Sequence, residues 1–230
     1  MTRRMPSSSS PMGSPTDEDV CAPAPLGILA FGSGLAFVAY VLSGISLAVT
    51  LAVVVVAGGF AGSYLWAHSS PRRREVARAR ARAGLLAGVA ALVAYDVSRW
   101  MLVEVVGFEF RPFEAFGAFG RALWGAGADG WWVTASGVAF HVSNGLTFAL
   151  GYTLLARRPG PTSGVVFALG LEVAMVALYP KWLRIQAVDE FLQVSMLGHV
   201  AYGATLGWTA RALLQRQATA SRAARGAAQR

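Results

Sequence analysis

Two copies of the pattern His-Val-x-x-Gly, HVSNG at 141–145 and HVAYG at 199–203, contain two of the three histidines of the chain. Both copies lie in stretches that otherwise have almost no ionisable residues. Ionisable groups at the centre of a bilayer cost about 2.5–3.5 kcal/mol each, so they usually face the interior of a helical bundle and take part in function. The repeated pattern therefore predicts a polar site built around His141 and His199.

Six polar residues of the apolar segments make up this candidate site: Asp96, Arg99, His141, Asn144, Glu172 and His199. Residues three apart on a helix share a face, as Asp96 does with Arg99 and His141 with Asn144. Asp96 and Glu172 each stand before a valine, and each is followed along the chain by one His-Val-x-x-Gly pattern. This order predicts two related helical hairpins, each of which brings one acid and one imidazole to a central site.

The side chains of this set fit several chemistries, and the cofactor stays unknown from the sequence. Asp96, His141, Glu172 and His199 are suitable ligands for a divalent metal, zinc or iron, although no His-x-x-x-His or Glu-x-x-His spacing accompanies them. Haem b, held axially by the two histidines, is a less favoured alternative. Without a cofactor, the same groups could form a proton relay.

A serine nucleophile is a further, weakly supported alternative. Ser195 and His199 are four residues apart and share a helix face, as a nucleophile and its base would. Such pairs are common, and no oxyanion motif accompanies this one. The sequence therefore argues against serine hydrolysis.

Composition places these residues in a membrane protein. Of the 230 residues, 55% are hydrophobic and 14% are charged, and the apolar runs are long enough to cross about 30 Å of hydrocarbon. Hydrophobicity without alternation predicts helices, because a backbone in lipid must satisfy its own hydrogen bonds. We expect an all-α, polytopic bundle of about six transmembrane helices, at 26–44, 46–67, 84–106, 132–156, 162–180 and 190–211.

Basic residues predict the orientation of these spans. One side receives fifteen arginines: Arg3, Arg4, Arg72, Arg73, Arg74, Arg78, Arg80, Arg82, Arg157, Arg158, Arg211, Arg216, Arg222, Arg225 and Arg230. The opposite loops hold four basic residues, Arg111, Arg121, Lys181 and Arg184. The positive-inside rule thus predicts cytoplasmic termini, and the preference for arginine over lysine suggests a bacterial inner membrane protein. The candidate site would then face outward.

The two ends of the chain are polar. Residues 1–25 predict a disordered cytoplasmic tail rather than a signal peptide, because no apolar region follows the first arginines. Residues 212–230 predict a basic cytoplasmic tail. The net charge of +8 is spread over the ends of the spans, which favours anionic lipid headgroups as partners and argues against nucleic acid. Cys21 is the only cysteine, which excludes an intramolecular disulfide.

The loop at 107–131 predicts a helix in the outer membrane interface, with Pro112 near its start and Phe113, Phe116 and Phe119 spaced by three residues. These aromatic residues could anchor the loop in lipid. They could instead form a lid that admits an amphiphilic substrate from the bilayer. The head of an anionic substrate would meet four basic residues: Arg99, Arg111, Lys181 and Arg184.

Three functions remain open from the sequence. The leading hypothesis is a small membrane enzyme or metal-binding protein that acts on an amphiphilic or lipid substrate. The second is a proton-coupled transporter, and the third is a scaffold or complex subunit whose histidines are structural. Substrate identity and oligomeric state are not encoded in any pattern that we recognise.

Overall fold

The computed structural model describes residues 24–183 and 188–228 and is all-helical over these ranges, with 88% helix and no strands, as predicted. Eight α-helices follow one another along the chain: α1 (Ala24–Leu29), α2 (Gly32–Ser43), α3 (Leu47–Ala67), α4 (Pro71–Val106), α5 (Ala115–Trp124), α6 (Trp131–Leu155), α7 (Pro161–Leu183) and α8 (Val188–Ala228). A short 3-10 helix at Pro112–Glu114 precedes α5. Residues 1–23 of the predicted N-terminal tail, which include Cys21, and Arg184 lie outside the described residues, whereas the last two residues of that tail begin α1.

Four helices are long and apolar enough to cross a membrane within the described ranges, at 47–67, 71–106, 131–155 and 161–178. The segment predicted as the first span is instead divided into α1 and α2, and the twelve residues of α2 reach only about 18 Å. The segment predicted as the sixth span lies within α8, where Ser195 and His199 are buried and Gln193 and Arg211 are exposed. The structure therefore supports a membrane protein with four such helices, fewer than the six predicted.

Helix α4 is continuous through the arginine-rich run that precedes the predicted third span. Ser70 accepts a hydrogen bond from the amide of Arg73, and Pro71 occupies the first turn, where its missing N–H costs nothing. The helix continues through Gly84 and Gly88 and ends before Gly107, which adopts a left-handed conformation with φ of 76°. The arginine-rich run is therefore the first part of one 36-residue helix.

The four helices that carry the candidate residues form the bundle: α4 packs on α6 and α8, and α7 packs on α8. Helix α5 lies on α6, and α2 and α3 form a hairpin at Gly44, whose φ is 73°. We call the end of the bundle with the 107–131 segment the loop end. The opposite end, where Arg80 meets the end of α6, is the arginine end.

Two small-residue contacts set the spacing of α7 and α8. A Cβ atom on Gly203 would collide with the backbone of Gly164, and one on Gly207 would collide with the carbonyl of Gly160. Glycine at these positions therefore permits the close packing of α7 and α8. Gly58 in α3, by contrast, has no neighbour within 4 Å of a Cβ position.

The predicted C-terminal tail is largely helical. Helix α8 continues 17 residues beyond the predicted end of the sixth span, from position 211 to Ala228. Good helix formers such as alanine, glutamine and arginine make up most of this stretch, so propensity favours the extension. The tail is therefore a continuation of the helix that carries His199.

Candidate functional site

Asp96, Arg99 and His141 form the first ionisable group of the site. Helix α4 presents Asp96 to α6, where one carboxylate oxygen accepts a hydrogen bond from His141 Nε2 at 3.2 Å. The other oxygen lies 3.4 Å from Nη1 of Arg99, one turn further along α4. The Asp96 side chain is 31% exposed, whereas Arg99 is buried. This carboxylate is therefore shared between a guanidinium and an imidazole.

Glu172, Ser195 and His199 form the second ionisable group, which is more deeply buried. The hydroxyl of Ser195 donates to Glu172 Oε2 at 2.7 Å, and His199 Nδ1 lies 2.7 Å from the same oxygen. Nδ1 is also 2.9 Å from the carbonyl oxygen of Ser195. Since both neighbours of Nδ1 are acceptors, Nδ1 carries the hydrogen and Nε2 is left as the basic nitrogen.

A serine nucleophile, the alternative that the sequence disfavoured, is not assembled. Ser195 directs its hydroxyl at Glu172, and His199 bonds the backbone of Ser195 rather than its hydroxyl. A base that activates a serine must accept the hydroxyl hydrogen itself. This geometry fits a structural role for Ser195, which fixes the carboxylate that faces the imidazole.

Tyr95 separates the two groups and is the principal residue that the sequence did not single out. Its ring centroid is 5.9 Å from that of His141 and 5.0 Å from that of His199. The guanidinium of Arg99 lies over the same ring at 4.5 Å. A signal was present in the sequence, because Tyr95 precedes Asp96 in an apolar helix, but tyrosine in such a helix is also an ordinary packing residue.

A chamber lies beside Tyr95, lined by His141 on one side and His199 on the other. Asn144, one turn after His141, also lines it, and its Oδ1 atom is buried without a hydrogen-bond partner among the described residues. An uncompensated buried carbonyl is costly unless a ligand or a water molecule bonds it. Asp96 and Glu172 do not line the chamber, but each contacts one of the two histidines that do.

A larger apolar groove of about 320 Å³ adjoins the chamber between α2 and α7. Apolar and aromatic side chains line it, among them Phe31, Leu35 and Phe148. Asn144 and His199 line both the groove and the chamber. The site therefore combines an apolar channel with a polar end.

The segment before α6 covers the loop end of the site. Phe116 lies 5.1 Å from the ring of His141, and Phe113 lies 5.7 Å from the guanidinium of Arg99. The carbonyl of Pro112 accepts from Nη2 of Arg99 at 3.4 Å, and Phe119 is 4% exposed. Phe119 is thus buried, and Phe113 and Phe116 are half-buried with their rings against the bundle. The side chain of Lys181 lies outside the described residues, and Arg111 is exposed.

The four predicted metal ligands do not come together. Asp96 faces His141, Glu172 faces His199, and Tyr95 stands between the two pairs. Among residues 24–183 and 188–228, no three His, Cys, Asp or Glu side chains converge on one point. Zinc sites need three or four protein ligands, so neither pair suffices alone. Haem b fits no better, because Tyr95 fills the space between the imidazoles.

A model of a protein family described as a family of unknown function, DUF6789, matches residues 78–221. This range is more than half of the chain, begins within α4 and ends within α8. All six candidate residues fall inside it. No curated protein and no solved structure matches the chain.

Proposed function

The chain belongs to DUF6789, a family of unknown function, and we propose that it is a small membrane enzyme that acts on an amphiphilic molecule. The apolar chain of this molecule occupies the groove between α2 and α7. Its polar group reaches the chamber at Asn144, His141 and His199. The observation that carries the proposal is the junction of groove and chamber at Asn144 and His199.

Geometry favours proton transfer as the chemistry of the site. In both pairs a carboxylate holds one imidazole nitrogen and leaves the other nitrogen for a bound molecule. A carboxylate in this position orients the ring and stabilises the imidazolium that forms when the ring accepts a proton. His199 would act as a general base through Nε2, and His141 would act as the partner acid or base. Asn144 would bond the polar group of the substrate.

The proposed orientation follows from the arginines. The arginine end lies in the cytoplasm and the loop end outside an inner membrane, with both termini cytoplasmic, because the positive-inside rule assigns arginine-rich flanks to the cytoplasm. In this arrangement the segment with Phe113 and Phe116 covers the site from outside. Substrate enters sideways through the groove, since the loop end is closed by aromatic rings.

Comparative lipid analysis tests the proposal. Cells that produce the wild-type protein are compared with cells that produce an equal amount of the His141→Gln/His199→Gln variant, and total lipids are quantified by mass spectrometry. We expect one amphiphile to increase and a second to decrease only with the wild type. Identical lipid profiles from two folded proteins would contradict an enzymatic role.

A proton-coupled transporter is the second candidate, favoured by the state of Glu172. This carboxylate is buried, and its Oε1 atom has no hydrogen-bond partner among the described residues. A buried acid that pairs with a histidine can change protonation during transport. Substrate accumulation that depends on a proton gradient and is lost in Glu172→Gln, with unchanged lipid composition, would support transport over enzymatic turnover.

A further inference from the structure

A second cavity lies at the arginine end, far along the bundle from the histidines, and we propose that it binds a phosphate-bearing anion. The cavity measures about 690 Å³ and lies between the α6–α7 connection and α8. Four arginines line it, Arg80, Arg157, Arg158 and Arg211, and its lining contains no carboxylate. Such a concentration of uncompensated positive charge attracts an anion.

Hydrogen bonds fix the two helix ends that border the cavity, the end of α6 and the start of α7. Tyr152 is 4% exposed, and its hydroxyl lies 2.7 Å from Ser163 Oγ and 3.1 Å from the amide of Gly160, which donates to it. Arg80 donates to the carbonyls of Thr153 and Ala156 at 2.8 and 2.7 Å. These bonds fix the end of α6 and the start of α7 before any ligand arrives.

Close packing of α7 and α8 places a fourth arginine at the cavity. Gly207 lies against the carbonyl of Gly160, and a Cβ atom there would collide with it. Arg211 is one helical turn after Gly207, so it shares the face of α8 that meets the start of α7. The glycine contact thus directs Arg211 into the cavity.

The start of α7 adds backbone donors to this charge. Pro161 is the first residue of α7, so Thr162 and Ser163 lie in its first turn. Backbone amides in the first turn of a helix have no carbonyl acceptor within the helix. Both residues line the cavity. Amide groups at a helix N-terminus bind anions, and guanidinium groups bind phosphate with two parallel hydrogen bonds. Together they favour an anion with several acceptor oxygens, such as phosphate, over a halide.

Two sources of phosphate share this chemistry, a phospholipid headgroup and a soluble phosphate ester. The test uses the full-length protein in dodecyl maltoside at fixed ionic strength, and it measures binding by microscale thermophoresis. One series uses dioctanoyl phosphatidic acid and the other uses inorganic pyrophosphate. Binding of the lipid alone assigns a headgroup site, whereas binding of both with the same arginine dependence assigns a site for soluble phosphate as well.

A charge-matched pair of variants separates the site from general attraction. Arg157→Ala/Arg158→Ala removes two arginines from the cavity, and Arg73→Ala/Arg82→Ala removes two exposed arginines of α4 that do not line it. We expect Kd to rise at least about tenfold in the first variant and less than about twofold in the second. Equal weakening in both variants, or no saturable binding of either probe, would overturn the proposal. The assay does not depend on the histidine site, so it is independent of the proposed enzymatic function.

Discussion

Tyr202 of the second His-Val-x-x-Gly motif donates a hydrogen bond to the backbone carbonyl of Gly145 in the first motif, at 2.6 Å. The two motifs are 58 residues apart in sequence, and this bond joins α8 to α6 through one glycine and one tyrosine. A side chain at position 145 would meet Leu92 of α4, so the glycine also allows α4 to pack closely on α6. The repeated motif is therefore a packing element as well as a carrier of histidine.

We expect Tyr202→Phe to lower the free energy of unfolding by about 1 kcal/mol, because it removes one buried hydrogen bond and leaves the ring in place. Thermal unfolding in detergent measures the change. Tyr64→Phe is the matched control, since Tyr64 is 63% exposed. A loss in the control as large as in Tyr202→Phe would show that the Tyr202 bond contributes nothing specific.

The division into two acid–histidine pairs predicts a pattern of energetic coupling. A double-mutant cycle of Asp96→Asn with His141→Gln should give a coupling energy of about 0.5–1 kcal/mol, limited by the partial exposure of Asp96. The cycle of Asp96→Asn with His199→Gln should stay below about 0.5 kcal/mol, because these residues belong to different pairs. Unfolding in detergent measures both cycles. Stronger coupling across the pairs than within the first pair would contradict the assignment.

The glycine contacts predict opposite results for two similar substitutions. Gly207→Ala should destabilise the protein by about 1–3 kcal/mol, because the new methyl group meets the backbone of Gly160. Gly58→Ala should cause no loss and could raise stability by up to about 1 kcal/mol through helix propensity, since that position is open. Unfolding midpoints of the two variants test this difference. A loss in Gly58→Ala would indicate that α3 contacts a partner through this position.

Blocking the groove should displace the amphiphile. Ala174 lines the groove between α2 and α7, so Ala174→Trp fills it, whereas Val173 is 72% exposed and is not among its lining residues. We expect co-purified amphiphile, measured by native mass spectrometry, to fall about tenfold in Ala174→Trp, as a loss of about 1.4 kcal/mol in binding would produce. Val173→Trp should retain it. Equal retention in both variants would place the amphiphile elsewhere.

Separation of the four potential ligands predicts the metal content of the protein. Each pair offers one carboxylate and one imidazole, which is too few for tight zinc binding. We expect elemental mass spectrometry of the purified protein to give substoichiometric zinc and iron, unchanged in His141→Ala/His199→Ala. One metal ion per chain that disappears in this variant would instead establish the histidines as ligands and require the pairs to rearrange.

Local pattern was enough to find the polar residues but not their partners. The spacing of Asp96 from Arg99 and of His141 from Asn144 is a property of one helix, so it can be read from the sequence. Whether Asp96 would meet His141 or His199 depends on how α4, which packs on both α6 and α8, is rotated about its own axis. That rotation is set by contacts between helices, such as those of Gly84 and Gly88 with α6, which no single segment reveals.

The direction of the aromatic residues in the loop was also beyond the sequence. Phe113, Phe116 and Phe119 have the same spacing whether they face lipid or protein. They face the bundle because Gly120 and Gly137 let α5 approach α6 so closely that a Cβ atom on either would strike the opposite backbone. For α1 and α2, hydropathy predicted one span, since it measures polarity and does not detect the break in the helix at Ala30 and Phe31.

Helix α8 also extends well beyond the bundle because of its length. Its 41 residues span about 62 Å, roughly twice the thickness of the hydrocarbon layer. Its closest contacts with α7, at Gly203 and Gly207, lie about 9 Å along the helix axis from His199 and about 35 Å from Ala228. Residues 218–224 and 226–228 are exposed. The basic end of α8 is therefore a single projecting helix, separated by several turns from the packed part that holds the histidine chamber.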